Sequence, residues 1–269
     1  PPRSTLFPYT TLFRSNQTGP LGNMVFAKYT VINKGTDDLE EAYFAVWSDP
    51  DLGDAGDDFV GIDTTLSLGF VYDGLANDGV YGTPPAAGYD FFQGPVVPGA
   101  PEDEAHFNFQ KLAGWKNLEV SGFAYYINSD PVYQDPDLGT VEGGQQMYNY
   151  LQSKLYDGQA FVDPTTSEEV KITLAGDPIT RTGWIDGIVN APDDRRMMMV
   201  TGPFTLNKEL DLANGKINRQ EVVVARLIGL GSDRLSSLQV LKYYDRFAQL
   251  AFDNNFDLPN APPAPKVTA

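Results

Sequence analysis

Between two apolar, strand-like runs the chain carries WSDPDLGDAGDDFVGID, residues 47–63, with Asp49, Asp51, Asp54, Asp57 and Asp58 inside ten positions. So many carboxylates cannot pack together in an apolar interior, where each would lose its hydration without gaining a counter-charge. The stretch must lie at the rim of whatever the flanking runs build, either open to water or gathered round a cation. Calcium takes about six to eight oxygen ligands from a loop able to fold round it. Asp49, Asp51, Asp54, Asp57, Asp58 and Asp63 are the candidate metal ligands, and the expectation is a calcium-binding loop at a sheet edge. The spacing is not that of an EF-hand: Gly53 stands at a ligand position, Asp54 where the invariant glycine belongs and Val60 where the bidentate glutamate belongs. The competing reading is a solvated turn whose aspartates act as caps.

The runs around this loop read as sheet. Residues 23–33 (NMVFAKYTVIN) and 41–48 (EAYFAVWS) are rich in β-branched and aromatic side chains and are separated by a short polar turn, which predicts a hairpin. Strands follow over 59–63 and 66–72. Residues 73–101, punctuated by Gly, Pro and Asn, read as a long loop packed through Tyr81, Tyr89, Phe91 and Phe92. Further strands are expected over 104–111, 118–128, 170–174, 195–201 and 220–230, the last nearly all apolar and hence central. A short amphipathic helix is expected over 145–157, stopped at Gly158. A longer one is expected over 233–253, capped by Ser232 or Asp233, with Leu235, Leu238, Leu241, Tyr244, Ala248, Ala251 and Phe252 as its apolar stripe. The fold class predicted is mainly β: an antiparallel β-sandwich with long loops, one short helix and one C-terminal helix packed on the sheets. The pentapeptide DPDLG occurs twice, at 49–53 and 135–139, and implies the same turn chemistry used twice.

Composition limits the chemistry. Cysteine is absent, which removes thiolate nucleophiles, disulfides and Cys-based metal sites, and His106 is the single histidine. A zinc site would need three protein ligands, and a Ser-His-Asp triad has no GxSxG elbow to stand on. A net charge of -17 repels a phosphate backbone and an anionic membrane surface, so nucleic acid is not an expected partner. No run approaches the ~20 apolar residues of a spanning helix, and membrane insertion is not expected. Two further sites are candidates. Glu102, Glu104, Glu142, Asp186 and Asp194 offer carboxylates for glycoside hydrolysis. Trp47, Trp115 and Trp184 could form a stacking platform for glycans, against the plainer reading of core aromatics. Arg195 and Arg196 beside Asp193 and Asp194 read as a turn-side salt-bridge cluster.

Two resemblances frame these readings. LFPYTTLFRS, residues 6–15, is similar to the translation of a DNA-sequencing adapter, so residues 1–15 are expected to be non-native. The segments GNMVFAKYTVINKG, WSDPDLGDAGDDFVGIDTTLSLGFVYDG, GYDFFQGP, SGFAYYINSDP, DRRMMMVTGPFTL and VLKYYDRFAQLAFDNNFDLP together resemble a family of large secreted bacterial surface proteins. That resemblance implies an extracellular, multi-module chain carrying fibronectin type III-like domains and a type IX secretion signal. Its partners would be other modules of the same chain, surface glycans or surface proteins. On this reading residues 16–256 form one β-sandwich domain that lacks upstream strands, and 257–269 a Pro-rich linker opening a fibronectin type III-like module. The role expected is structural or adhesive, with a glycan-binding module or carboxylate-based hydrolase as the alternative.

Overall fold

The computed structural model describes residues 6–13 and 19–257, with side chains from residue 19 onward; beyond residue 257 the linker and module opening expected at 257–269 lie outside the described residues. In chain order the elements are β1 (Leu6–Phe13), β2 (Met24–Asn33), β3 (Leu39–Ser48), β4 (Asp58–Asp63), β5 (Leu68–Asp73), β6 (Ala86–Gln93), β7 (Val96–Pro98), β8 (Glu104–Phe107), β9 (Gln110–Ala113), β10 (Trp115–Asn117), β11 (Gly122–Ile127), α1 (Val141–Leu151), β12 (Phe161–Val162), β13 (Glu169–Val170), β14 (Arg195–Leu206), β15 (Arg219–Gly229) and α2 (Arg234–Asp253). Six strands form one sheet in the order β1-β2-β15-β6-β5-β4, and three form a second in the order β11-β14-β3. Every pairing within them is antiparallel.

Alternation along the strands assigns the faces. Val60, Ile62, Val71, Phe91, Val222 and Val224 of the six-stranded sheet meet Phe123, Tyr125, Met197 and Met199 of the smaller one in the main core. The residues between them, Leu68, Phe70, Ala86, Ala225 and Leu227, turn outward and are covered by Leu238, Leu241, Ala248 and Ala251 of α2. On the far side of the smaller sheet α1 packs through Tyr150, whose ring lies 4.8 Å from that of Tyr126. The result is a mainly β protein: two antiparallel sheets face to face, with a helix against each outer side. Helix α2 begins where the sequence predicts, because the Asp233 carboxylate accepts from the Leu235 and Ser236 amides while Ser236 Oγ accepts from the Asp233 amide.

Several expectations are corrected. Strands β2 and β3 are not a hairpin. Asn33 donates its side-chain amide to the Asp37 and Leu206 carbonyls and accepts from the Gly35 amide, which carries the chain out of one sheet and into the other. The supposed long loop contains β6, a central strand. The strand expected over 104–111 is the two-strand hairpin β8–β9, turned at Asn108 and Phe109, both at positive φ. Helix α1 starts earlier and ends earlier than its apolar spacing suggests, because Thr140 Oγ1 caps the Gly143 amide. Residues 6–13 form an antiparallel ladder along β2, which does not bear on whether the segment is native.

Inside α1, Gly144 has open space around the position a Cβ would take. Gly144→Ala is therefore expected to raise the denaturation midpoint by the equivalent of about 0.5–1 kcal/mol, the helix-propensity gain alone. A loss of stability would show that α1 is not helical at that point.

Candidate metal centre

The acidic stretch does not close on one focus; it splits into two groups and three separate tasks. Asp57 turns inward and meets Asp73, at the end of β5, and Asp78, in the β5–β6 connection. One carboxylate oxygen from each of the three lies within 4.8 Å of the other two. Asp49 and Asp51 gather instead with Asp194, also within 4.8 Å. Asp54 caps the short 3-10 turn that presents Asp57, accepting from the Gly56 amide at 3.0 Å. Asp58 is buried beside the first group and accepts from the Leu52 amide at 3.1 Å. Asp63 sits at the other end of the six-residue β4, about 17 Å away at strand rise, where Lys242 of α2 pairs with it at 2.9 Å.

The inner group is assembled by backbone contacts that leave carboxylate oxygens over. Asp73 Oδ1 accepts from the Leu75 amide at 2.5 Å, and Asp78 Oδ1 accepts from the amides of Val80, at 2.7 Å, and Tyr81. Gly74 donates to the Asp57 carbonyl at 2.6 Å, and the Arg234 guanidinium holds the carbonyls of Asp73 and Gly74 at 3.0 and 2.9 Å. Gly53 has φ +79°, and a Cβ there would stand 1.8 Å from Asp78 Oδ2, so only glycine lets that carboxylate lie against the acidic loop. Asp57, Asp73 and Asp78 are all buried, and Asp57 Oδ1 and Asp73 Oδ2 meet no donor. Asp58 Oδ1 is likewise without one, and Asp58 stands directly across the ladder from Asp73.

Burial, and then the charges of Asp73, Asp54 and Asp78, pushes the Asp57 carboxyl up to about 6. Burial pushes Asp58 up to about 8, against the Leu52 amide and with Asp57 and Asp73 adding to it. Asp73 is also raised by burial, with the Leu75 amide and Arg234 opposing. These are the marks of anionic oxygens brought together without enough positive charge. Three convergent carboxylates with no sulfur or imidazole among them suit a hard divalent cation. Such an ion would be held by Asp57, Asp73 and Asp78.

The outer group already has its cation. Arg196 reaches Asp194 at 2.7 Å, Asp49 at 3.3 Å and Asp135 at 3.7 Å. Asp49 and Asp135 are the first residues of the two DPDLG copies, and Gly53 and Gly139, which end them, have φ +79° and +81°. The repeat thus brings the first aspartate of each copy onto one guanidinium, although Asp51 has φ +40° and its counterpart Asp137 is not at positive φ.

The remaining candidates separate in space. Trp115 and Trp184 are buried in different clusters, so the three tryptophans form no platform. Trp47 alone is exposed, at 49%, with Nε1 donating to the Tyr126 hydroxyl at 2.6 Å. Among the carboxylates, Asp186 is buried against Arg195, Asp194 is held by Arg196 and Glu104 pairs with Lys111, while Glu102 and Glu142 are exposed. Arg195 is no member of a turn-side cluster: it points into the core, and only Arg196 pairs with Asp194. His106 lies half-buried with its ring 5.6 Å from Phe252. Asp73 and Asp78 were not among the expected ligands. Asp73 looks like the end of a strand and Asp78 like a turn residue, and only the β4–β5 pairing brings them to Asp57. Among the described residues no helix is long and apolar enough to cross a membrane. A scan against family models finds no match to the chain, and a search of curated proteins finds no similar sequence.

Proposed function

We propose that this chain is a non-catalytic, extracellular structural or adhesive module of a larger secreted surface protein, stabilised by calcium bound between Asp57, Asp73 and Asp78. The observation that carries the reading is the pair of buried, partnerless oxygens, Asp57 Oδ1 and Asp73 Oδ2, in a cluster whose three carboxylates approach within 4.8 Å. An ion there would tie the acidic loop after β3 to the connection between β5 and β6, closing one end of the sandwich. Calcium is favoured by the all-oxygen donor set and by its abundance outside cells. Neighbouring modules, surface glycans or surface proteins would be the partners, and exposed Trp47 is the surviving feature for glycan contact.

With free calcium at ten times its Kd, mass action adds about 1.4 kcal/mol to stability, read as a melting temperature roughly 3–6 °C higher than in chelator. Asp57→Asn with Asp73→Asn should abolish the difference, whereas Asp49→Asn with Asp51→Asn should keep it. Equal melting temperatures in calcium and chelator, or a shift that survives the first pair and vanishes with the second, would overturn the assignment.

A further inference from the structure

Asp90 occupies a place in β6 where a hydrophobic residue belongs. Its ladder partners are Leu68 of β5 and Ala225 of β15, and it shares their face, the one α2 covers. Two residues earlier, a Cβ on Gly88 would stand 3.0 Å from Leu241 Cδ2, so the helix lies close on this face. Facing Asp90 from α2 is Asp245, set within the stripe of Leu238, Leu241, Ala248 and Ala251. Both aspartates are 1% exposed. The two carboxyls face each other closely enough for each to act on the other. Neither oxygen of Asp90, nor Oδ1 of Asp245, receives a well-aligned bond from another donor, and the Phe91 amide is directed to the Ser67 carbonyl at 3.2 Å.

Two carboxylates cannot both remain ionised at such a contact without water or a cation; one proton between them converts repulsion into an O–H···O bond. The surrounding charges do not offer an alternative. From α2, Asp253 and Arg246 act on the pair. Asp63 at the end of β4 adds negative charge and is itself tied to Lys242, which also faces Asp177 at 3.6 Å. Beyond β6, on β8, His106 lies against Phe252. The residues that β5 and β15 turn to the helix here, Leu68, Phe70, Ala225 and Leu227, do not titrate.

We propose that Asp90 and Asp245 form a proton-operated latch, which clamps α2 to the six-stranded sheet in acidic surroundings and loosens it as the pH rises. Loosening would uncover the apolar sheet face beneath the helix. Burial first, and then the facing carboxyl, raises Asp90 well above the ordinary carboxylate range; burial pushes Asp245 up to about 6. Because both are raised, the pair holds its protons more tightly in the docked state than when exposed. The stability of docking is therefore full below about pH 4, the exposed carboxylate value, and declines as pH climbs through the docked values.

The test is amide hydrogen exchange on the full chain between pH 5.5 and 8.5, in chelator so that the cation site plays no part, with rates corrected for intrinsic exchange. The opening constant of α2 amides should grow by about tenfold per pH unit for each proton released, and more than that of β14 amides. In Asp90→Asn with Asp245→Asn the α2 slope should flatten, and protection at pH 8.5 should exceed that of the parent. If that double variant does not fold, Asp245→Asn alone should lower the slope. An opening constant independent of pH in the parent chain, or an unchanged slope in the variants, would overturn the latch. Neither result bears on calcium binding, which the melting comparison reads separately.

Discussion

Replacing Arg195 with methionine is expected to destabilise the fold by about 3–5 kcal/mol, the usual consequence of leaving one member of a buried ion pair behind. The Arg195 side chain is wholly buried, with Nε 3.0 Å from Asp186 Oδ2 and Nη2 3.1 Å from Oδ1. Nη2 also donates to the Ala191 carbonyl at 2.6 Å. Asp186 in turn accepts from the amides of Val60 and Gly187 at 3.0 and 2.9 Å. Burial raises the Asp186 carboxyl and Arg195 holds it down. Without the guanidinium the carboxylate must ionise in a dry site or take up a proton, and either is unfavourable at neutral pH. Arg195→Met with Asp186→Asn should recover most of the loss, since an amide oxygen can still accept from Val60 and carries no charge. Chemical denaturation of the two single variants and the double gives the coupling energy; a loss below about 1 kcal/mol for Arg195→Met would show that the pair is hydrated. The pair also has a positional role. It fastens residues 186–191 against β4, and just beyond them the Asp193 amide donates to the Asp58 carbonyl at 3.4 Å, which backs the acidic cluster from behind.

How far such features are legible in the sequence depends on whether their causes are local. Helix α2 and strand β15 are legible because a cap, a 3.6-residue stripe and an unbroken apolar run are short-range signals. The acidic loop is legible as a place where charge must be managed, but its partition is not. Which aspartate meets Arg196, which caps a turn and which turns inward is decided by β4 pairing with β5 and by β14 lying next to β3. Asp73 and Asp78 become ligand candidates only through that pairing. Strand β6 is hidden for a more specific reason: Gly88 and Asp90, the residues that break its strand pattern, are the ones that meet α2. The same holds for Asp245, which interrupts the apolar stripe of α2 and reads there as a solvent-facing residue until the sheet opposite is known. The departures from pattern in β6 and α2 thus mark one interface from both sides.

That interface can be tested at its tightest point. Gly229 ends β15 under the first turns of α2, where a Cβ would stand 2.4 Å from the Leu241 amide nitrogen and 2.6 Å from the Ser237 carbonyl oxygen. Both are backbone atoms of the helix, so no rotamer change can make room. Gly229→Ala is expected to destabilise the protein by about 3 kcal/mol, the upper part of the range for overpacking, with the loss concentrated in α2. Gly88→Ala serves as the comparison, since its Cβ would meet Leu68 Cδ1 at 2.9 Å and Leu241 Cδ2 at 3.0 Å, the ends of side chains that can turn aside. Thermal unfolding should rank Gly229→Ala well below Gly88→Ala, and limited proteolysis should cut the former first within residues 234–253. An equal, small effect for both would mean that α2 rides farther from the sheet than these distances say, and the contact on which the Asp90–Asp245 pair depends would loosen with it.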